Sequence, residues 1–170
     1  MTLGMVNRPG QLPNYGFPVL ANSQVEQDDA AAVYEPGMII VVKNGSNWGL
    51  AEYIQLDNNG CSQGETLVTN FATLAQYSVA KASTDDAWSR AFRGFAAATI
   101  ASQAFGWMYI GGYVEKVSVT NTVASGDFLQ ISGSTAGGVT GLQASPHVIG
   151  ISRTANAGTI GSVTIIGVWG

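Results

Sequence analysis

The side chains capable of chemistry in this chain are few and far apart. Its one histidine, His147, stands in Ser145-Pro146-His147-Val148 at the edge of an apolar run. A Ser-His-Asp device would have to be assembled on this single imidazole from distant partners, and a strand-edge or loop histidine is the simpler reading. The one cysteine, Cys61, has no second thiol to pair with, and beside Asn59 and Gly60 it has no local cation to favour its thiolate. It reads as a small buried or turn residue. One His and one Cys make no zinc cluster, and Asp57-Asn58-Asn59-Gly60 lacks the carboxylate spacing of a calcium loop. Neither a metal nor a cofactor is expected.

Carboxylate pairs of the kind that cleave glycosidic bonds could be drawn from Glu35, Glu52, Glu65, Asp85, Asp86 and Asp127, but the sequence singles out no pair. Asp85 and Asp86 follow Ser83-Thr84 as first-turn acids of a helix, and Asp127 follows Ser125-Gly126 as a turn residue. The run Gly133-Ser134-Thr135-Ala136-Gly137-Gly138 has the glycines of a phosphate cradle but no lysine after it, so it reads as a flexible hairpin connection. Asn44-Gly45-Ser46 matches a glycosylation sequon and reads as a turn. Trp48, Trp88, Trp107 and Trp169 could stack on sugars. Strand periodicity puts Trp107 and Trp169 among apolar neighbours as core, whereas Trp88, beside acids and Arg90, is the better exposed candidate. The expectation is a protein that is not an enzyme.

Composition agrees with a mechanical role. Charged residues are 11% of the chain, against about 25% in average soluble domains. Polar positions are filled instead by 22 glycines and many Ser, Thr, Asn and Gln. A surface of small neutral residues suits a protein that is covered by partners in an assembly. The net charge is −4 and the seven Lys and Arg are scattered, so no nucleic-acid partner is expected. No apolar stretch approaches 18 residues, and the opening Met-Thr-Leu-Gly-Met carries no basic leader, so the chain is expected to be made and kept in a cytosol, without a membrane partner.

The elements that would position any site fall into two parts. Residues 1–35 hold Pro9, Pro13 and Pro18, with Pro36 at the boundary, and show neither strand nor helix periodicity, which predicts an extended arm. Leu12, Tyr15, Phe17, Val19 and Leu20 are too apolar for a solvated linker, so the arm is expected to be mobile alone and to lie on a partner. Leu12, Tyr15, Phe17 and Val19, with Trp88, are the candidate partner-binding residues. Residues 36–170 are expected to form one all-β domain, a small barrel or sandwich. A hairpin of 38–42 and 48–56 turns at Asn44-Gly45, and strands follow at 94–100, 107–119, 127–131, 148–152 and 163–168. Gln76 to Ala80 alternates like a strand, and residues 66–75 fit no single pattern. Ser83-Thr84-Asp85-Asp86 before Trp88 and Phe92 predicts a short helix in a loop. Gly111-Gly112 in the middle of the long strand predicts a bulge.

The run Phe95-Ala96-Ala97-Ala98-Thr99-Ile100-Ala101-Ser102-Gln103-Ala104-Phe105-Gly106-Trp107-Met108-Tyr109-Ile110-Gly111-Gly112 is followed by Val123-Ala124-Ser125-Gly126-Asp127-Phe128-Leu129, by Val148-Ile149-Gly150-Ile151-Ser152 and by Gly161-Ser162-Val163-Thr164-Ile165-Ile166. As a set, over residues 92–170, these resemble the head decoration, or capsid cement, proteins of tailed bacteriophages. In that pattern Gly106 turns the chain into its strand, Trp107 fills a small barrel and Ser125-Gly126-Asp127 makes a hairpin between two core strands. The resemblance implies a structural virion protein, made in the bacterial host cytoplasm, that binds the outer surface of the head and stabilises its lattice. It implies the major capsid protein and sister copies as partners, with a homotrimer as the expected form. A tail, neck or fibre-base protein and a carbohydrate-binding β module are the alternatives.

Overall fold

The computed structural model describes residues 17–70, 77–84, 92–142, 147–155 and 160–166. Its strands are β1 (Val19–Ala21), β2 (Asp28–Asp29), β3 (Ile39–Asn44), β4 (Asn47–Leu56), β5 (Thr66–Thr69), β6 (Ser78–Lys81), β7 (Phe92–Ala96), β8 (Phe105–Ser118), β9 (Phe128–Ile131), β10 (Val139–Gly141), β11 (Gly150–Ser152) and β12 (Ile160–Ile165). A single four-residue helix, α1 (Asn22–Val25), is the one helical element among the described residues. The all-β class expected from the sequence is the observed one. The expected hairpin is present as β3 and β4, where Asn44 pairs with Asn47 across a Gly45-Ser46 loop. Only Gly45 of the two has positive φ, +58°, as a II′ turn with glycine first requires.

Five strands close on themselves. β4 pairs with β6, β6 with β5, β5 with β7, β7 with β8, and β8 again with β4. Alternation along these strands sends Ile54, Leu56, Leu67, Val79, Ala96 and Met108 into one buried cluster that fills the ring, with Cys61, Ile100 and Ala104 added from loops. Beyond the ring β8 continues, and its second half pairs with β12, then β11, β9 and β10. The bridge between Val119 and Val139 brings β10 back to the end of β8. Val114, Val117, Leu129, Ile131, Val139 and Val163 belong to the core of this second lobe. The core is continuous with Tyr53, Phe95, Trp107 and Tyr109 on the outside of the ring. Trp107 is fully buried, with the Tyr34 and Tyr53 rings at 5.2 and 5.0 Å.

The expected bulge lies where β8 passes from one lobe to the other, since the pairing with β4 slips between Leu50 and Ala51, opposite Gly111 and Tyr109. On β4 the residues Ile54 and Leu56 face the ring interior, whereas Ala51 and Tyr53 face the second core. The two lobes therefore curl toward opposite faces of one sheet, and the bulge marks the reversal.

Four expectations are corrected. The boundary at 35/36 falls inside the packed body: β1 runs parallel to β3, β2 pairs with the start of β8, and Leu20 and Val25 are core residues. Residues 17–35 form a strap packed on the body, not an extended arm, because Leu20 and Val25 find burial on their own domain, while Phe17, Val19 and Val33 stay exposed. The strap is pinned by Tyr53 Oη donating to Asp29 at 2.7 Å, by Lys116 on Glu26 at 3.0 Å and by Tyr109 Oη on Asn22. Ser125-Gly126-Asp127 is a tight turn, but it joins no hairpin of core strands, since β9 pairs with β10 and β11 and not with β8. The expected strand 94–100 is β7, ending at Ala96, with only an isolated bridge at Ile100. Gly106 stands inside β8, where a side chain would meet Ile100 Cδ1 at 2.7 Å, so it makes room for packing and turns nothing. The short helix expected before Phe92 lies outside the described residues, and Phe92 itself opens β7.

Candidate functional site

Several of the chemical candidates have structural partners. Cys61 is buried and bridges to Ile100, and burial pushes its thiol up to about 11. A thiol so far from its thiolate is expected to stay unmodified by an aromatic disulfide reagent at pH 8, and to react at once when the chain is unfolded in urea. Fast reaction of the folded protein would show Cys61 to be accessible. Asp127 accepts from the Ala124 amide at 2.8 Å and Asp57 from the Asn59 amide at 3.0 Å, both as turn caps. Glu65 accepts from the Ser62 amide and faces Lys81 at 3.8 Å. The Gly133 to Gly138 run is the β9–β10 hairpin connection, with Ser132 Oγ accepting from the amides of Ser134 and Thr135. His147 lies half-buried in the coil before β11, and Glu35 is exposed. Asp85, Asp86, Trp88, Leu12, Tyr15 and Trp169 lie outside the described residues. Among the described residues no three His, Cys, Asp or Glu side chains gather as a metal site, and no helix is long and apolar enough to cross a membrane.

What the fold does assemble is a face. The exposed large hydrophobics among the described residues are Phe17, Val19, Val33, Trp48, Leu50, Phe128, Leu142 and Ile166. The strand registers bring six of these eight onto one side of the sheet. Ala21 stands beside Lys43 and Lys43 beside Trp48. Gly49 pairs with Gly112, so Trp48 faces Tyr113 across the ladder. Tyr113 pairs with Thr164, Thr164 with Ile151 and Ile151 with Phe128, and Leu142 donates its amide to Phe128. One row thus crosses eight strand positions. A second row beside it holds Val19, Val41, Leu50 and Gly111, with Ile166 following Ile165, the partner of Gly112. Phe128 and Trp48 are each 50% exposed, which matters because large rings half in water on a paired strand are not explained by the core beneath them.

The face has a defined border. On β4 Trp48 and Leu50 lie on the side that carries Ile54 and Leu56 into the ring, and Glu52 stands between the two pairs. The pairing of β5 with β7 slips beside Arg93, between Leu67 and Val68. Arg93 reaches Glu52 with Nη2 at 3.1 and 2.9 Å from the two carboxylate oxygens. A bulge re-aims a side chain, and here it supplies the cation that closes the mouth of the ring. The apolar interior ends at this ion pair and the apolar stripe begins beyond it.

Of the expected contact residues, Val19 lies in the stripe and Phe17 is exposed just before it. Leu50, Tyr113, Phe128, Leu142, Ile151 and Ile166 were not anticipated. One local signal was available: β4 has large apolar residues on both sides, Trp48, Leu50, Ile54 and Leu56 against Ala51 and Tyr53, so both faces need cover. No protein-family model matches the chain, and no curated protein matches it.

Proposed function

We propose that this chain is a structural, non-enzymatic virion protein of a tailed bacteriophage that binds the outside of the head as a decoration, or cement, protein. The observation that carries the reading is the apolar stripe. It is a sheet face with one charged side chain, Lys43, in its two rows, on a chain poor in charge throughout. Such faces are normally buried in assemblies. The major capsid protein is the intended partner at the Phe128 and Leu142 end, and the resemblance over residues 92–170 supports the head over the tail. A carbohydrate module is less favoured at Trp48, because the Lys43 ammonium lies 5.2 Å from the Trp48 ring centre and occupies a face on which a sugar would stack.

The test is DNA release on heating from heads that carry the protein, heads that lack it and heads offered the Phe128→Asp, Leu142→Asp double variant. A ligand that binds only the intact lattice stabilises it by mass action. Heads with the wild-type protein are therefore expected to release DNA several degrees higher than bare heads. The double variant, placing charge in a contact centre, is expected to bind about tenfold or more weakly and to leave the heads near the bare value. Release at one temperature in all three samples would remove the cement role and favour a tail or adhesion role.

A further inference from the structure

The strap meets β8 through four side chains that together can do chemistry. Asn22 opens α1 and Glu26 follows one helical turn later, so the two side chains meet. β8 supplies Tyr109 from one side of the Gly111-Gly112 bulge and Lys116 from the other. One oxygen of Glu26, Oε1, accepts from Asn22 Nδ2 at 2.8 Å and from Lys116 Nζ at 3.0 Å. Tyr109 Oη donates to Asn22 Oδ1. These partners fix the carboxamide, because a carboxylate only accepts and so must face its nitrogen. The group therefore holds an amine, an amide carbonyl with a donor on its oxygen, and a carboxylate that touches both the amine and the nitrogen that would leave. Those are the parts of an acyl transfer. We infer that Lys116 and Asn22 join in an isopeptide bond that ties the strap covalently to β8, with Glu26 carrying the protons. This stands on the four residues alone and does not depend on what the apolar stripe binds.

The step balances without a co-reactant. Glu26 takes a proton from the Lys116 ammonium, and the freed lone pair of Nζ attacks Asn22 Cγ. The carbonyl electron pair moves onto Oδ1, where the Tyr109 hydroxyl meets it. Burial, with Glu26 and Glu115 nearby, pushes that phenol up, so it stays a donor. Glu26 then hands its proton to Nδ2, the Cγ–Nδ2 bond breaks with its electrons on nitrogen, and ammonia departs. The second proton of Nζ leaves through the same carboxylate and goes with the ammonia as ammonium. Lys116 and Glu26 side chains are 43% and 27% exposed. The amine therefore starts charged and the reaction is slow, but the long side chain is free to swing to Cγ and the ammonia has a way out. Neighbours held in place react as if at concentrations of about 10⁵ M or more, and loss of ammonia to solvent makes the step one-way. A rare neutral amine is enough. The product closes a loop of about 95 residues, for which the linkage should raise the folded-to-unfolded ratio roughly a thousandfold.

Mass spectrometry of the purified full chain, held for days at about pH 9 so that more of the amine is neutral, tests this. The expected intact mass is that of the sequence less one ammonia. A tryptic digest should contain a branched peptide joining the Asn22 and Lys116 segments, with no cleavage after Lys116. Lys116→Arg, which keeps the ion pair, should show full mass, unchanged circular dichroism and a lower urea midpoint than the linked chain. Glu26→Gln should also keep full mass, and Tyr109→Phe should slow the ammonia loss at least tenfold. Full mass in the wild-type chain with Lys116 still open to trypsin would overturn the inference, and this measurement needs no variant. So would ammonia loss without the branched peptide, as from a succinimide at Asn44 or Asn59, each of which precedes a glycine. A branched peptide that forms as fast in Glu26→Gln would overturn the part given to Glu26.

Discussion

Removing residues 1–29 is expected to leave a chain that does not fold into the ring and its second lobe, whereas a chain beginning at Phe17 is expected to fold. Leu20 and Val25 are buried in the larger core, Val25 completely. Each such side chain contributes about 1.5–3 kcal/mol through burial. Deleting them also bares Ile40 and Val42 on β3 and turns β3 into an edge strand. Tyr53, Tyr109 and Lys116 lose Asp29, Asn22 and Glu26, and two of these partners are phenols that burial holds well above their ordinary pKa. Against a total stability of about 5–15 kcal/mol for a domain of this kind, the combined loss is most or all of what is available. Far-UV circular dichroism and urea unfolding of the two truncated chains decide it. If the chain beginning at Ala30 unfolds at the same urea midpoint as the one beginning at Phe17, the strap is an accessory and the shorter chain is the domain.

The strap was illegible in the sequence for a physical reason. Its strands are three and two residues long, too short for periodicity, and β1 joins the sheet in parallel, through a partner some twenty residues on, not through a turn. The β3–β4 hairpin was legible because turn and alternation agree locally. Gly111-Gly112 was legible because two glycines inside a strand have few other uses. β5 escaped assignment because Leu67 enters the ring while Val68 enters the larger core, so a strand buried on both sides shows no alternation. Ser125-Gly126-Asp127 is legible as a turn, but a turn does not choose the partner of the strand that follows it. The stripe depends on the same kind of information. Trp48, Tyr113 and Phe128 become neighbours only through ladders between strands distant in sequence, so no window of sequence contains them together.

The bulge joins these arguments, and its expected fragility can be measured at three glycines. Gly112 has φ +74°, and a Cβ there would lie 2.6 Å from the Trp48 carbonyl oxygen and 3.0 Å from Gly49 Cα. Gly45 has φ +58° with nothing within 4 Å of such a Cβ, while Gly111 has ordinary φ and nothing nearer than Leu50 Cδ1 at 3.6 Å. Alanine at Gly45 should therefore cost only the left-handed strain, about 1–2 kcal/mol. At Gly111 it should be near neutral. At Gly112 it adds to that strain an overlap with backbone that cannot swing away, for roughly 2–5 kcal/mol in all. The displaced atoms are the backbone of Trp48 and Gly49, so the stripe should move with the bulge. Gly112→Ala should then weaken binding to heads as well as stability, and Gly45→Ala only stability. Urea midpoints of the three variants and the DNA-release temperatures of heads offered each of them check both parts. Equal midpoints for Gly112→Ala and Gly45→Ala would mean that the ladder yields at the bulge, and that the reversal of curl there does not hold Trp48 in place.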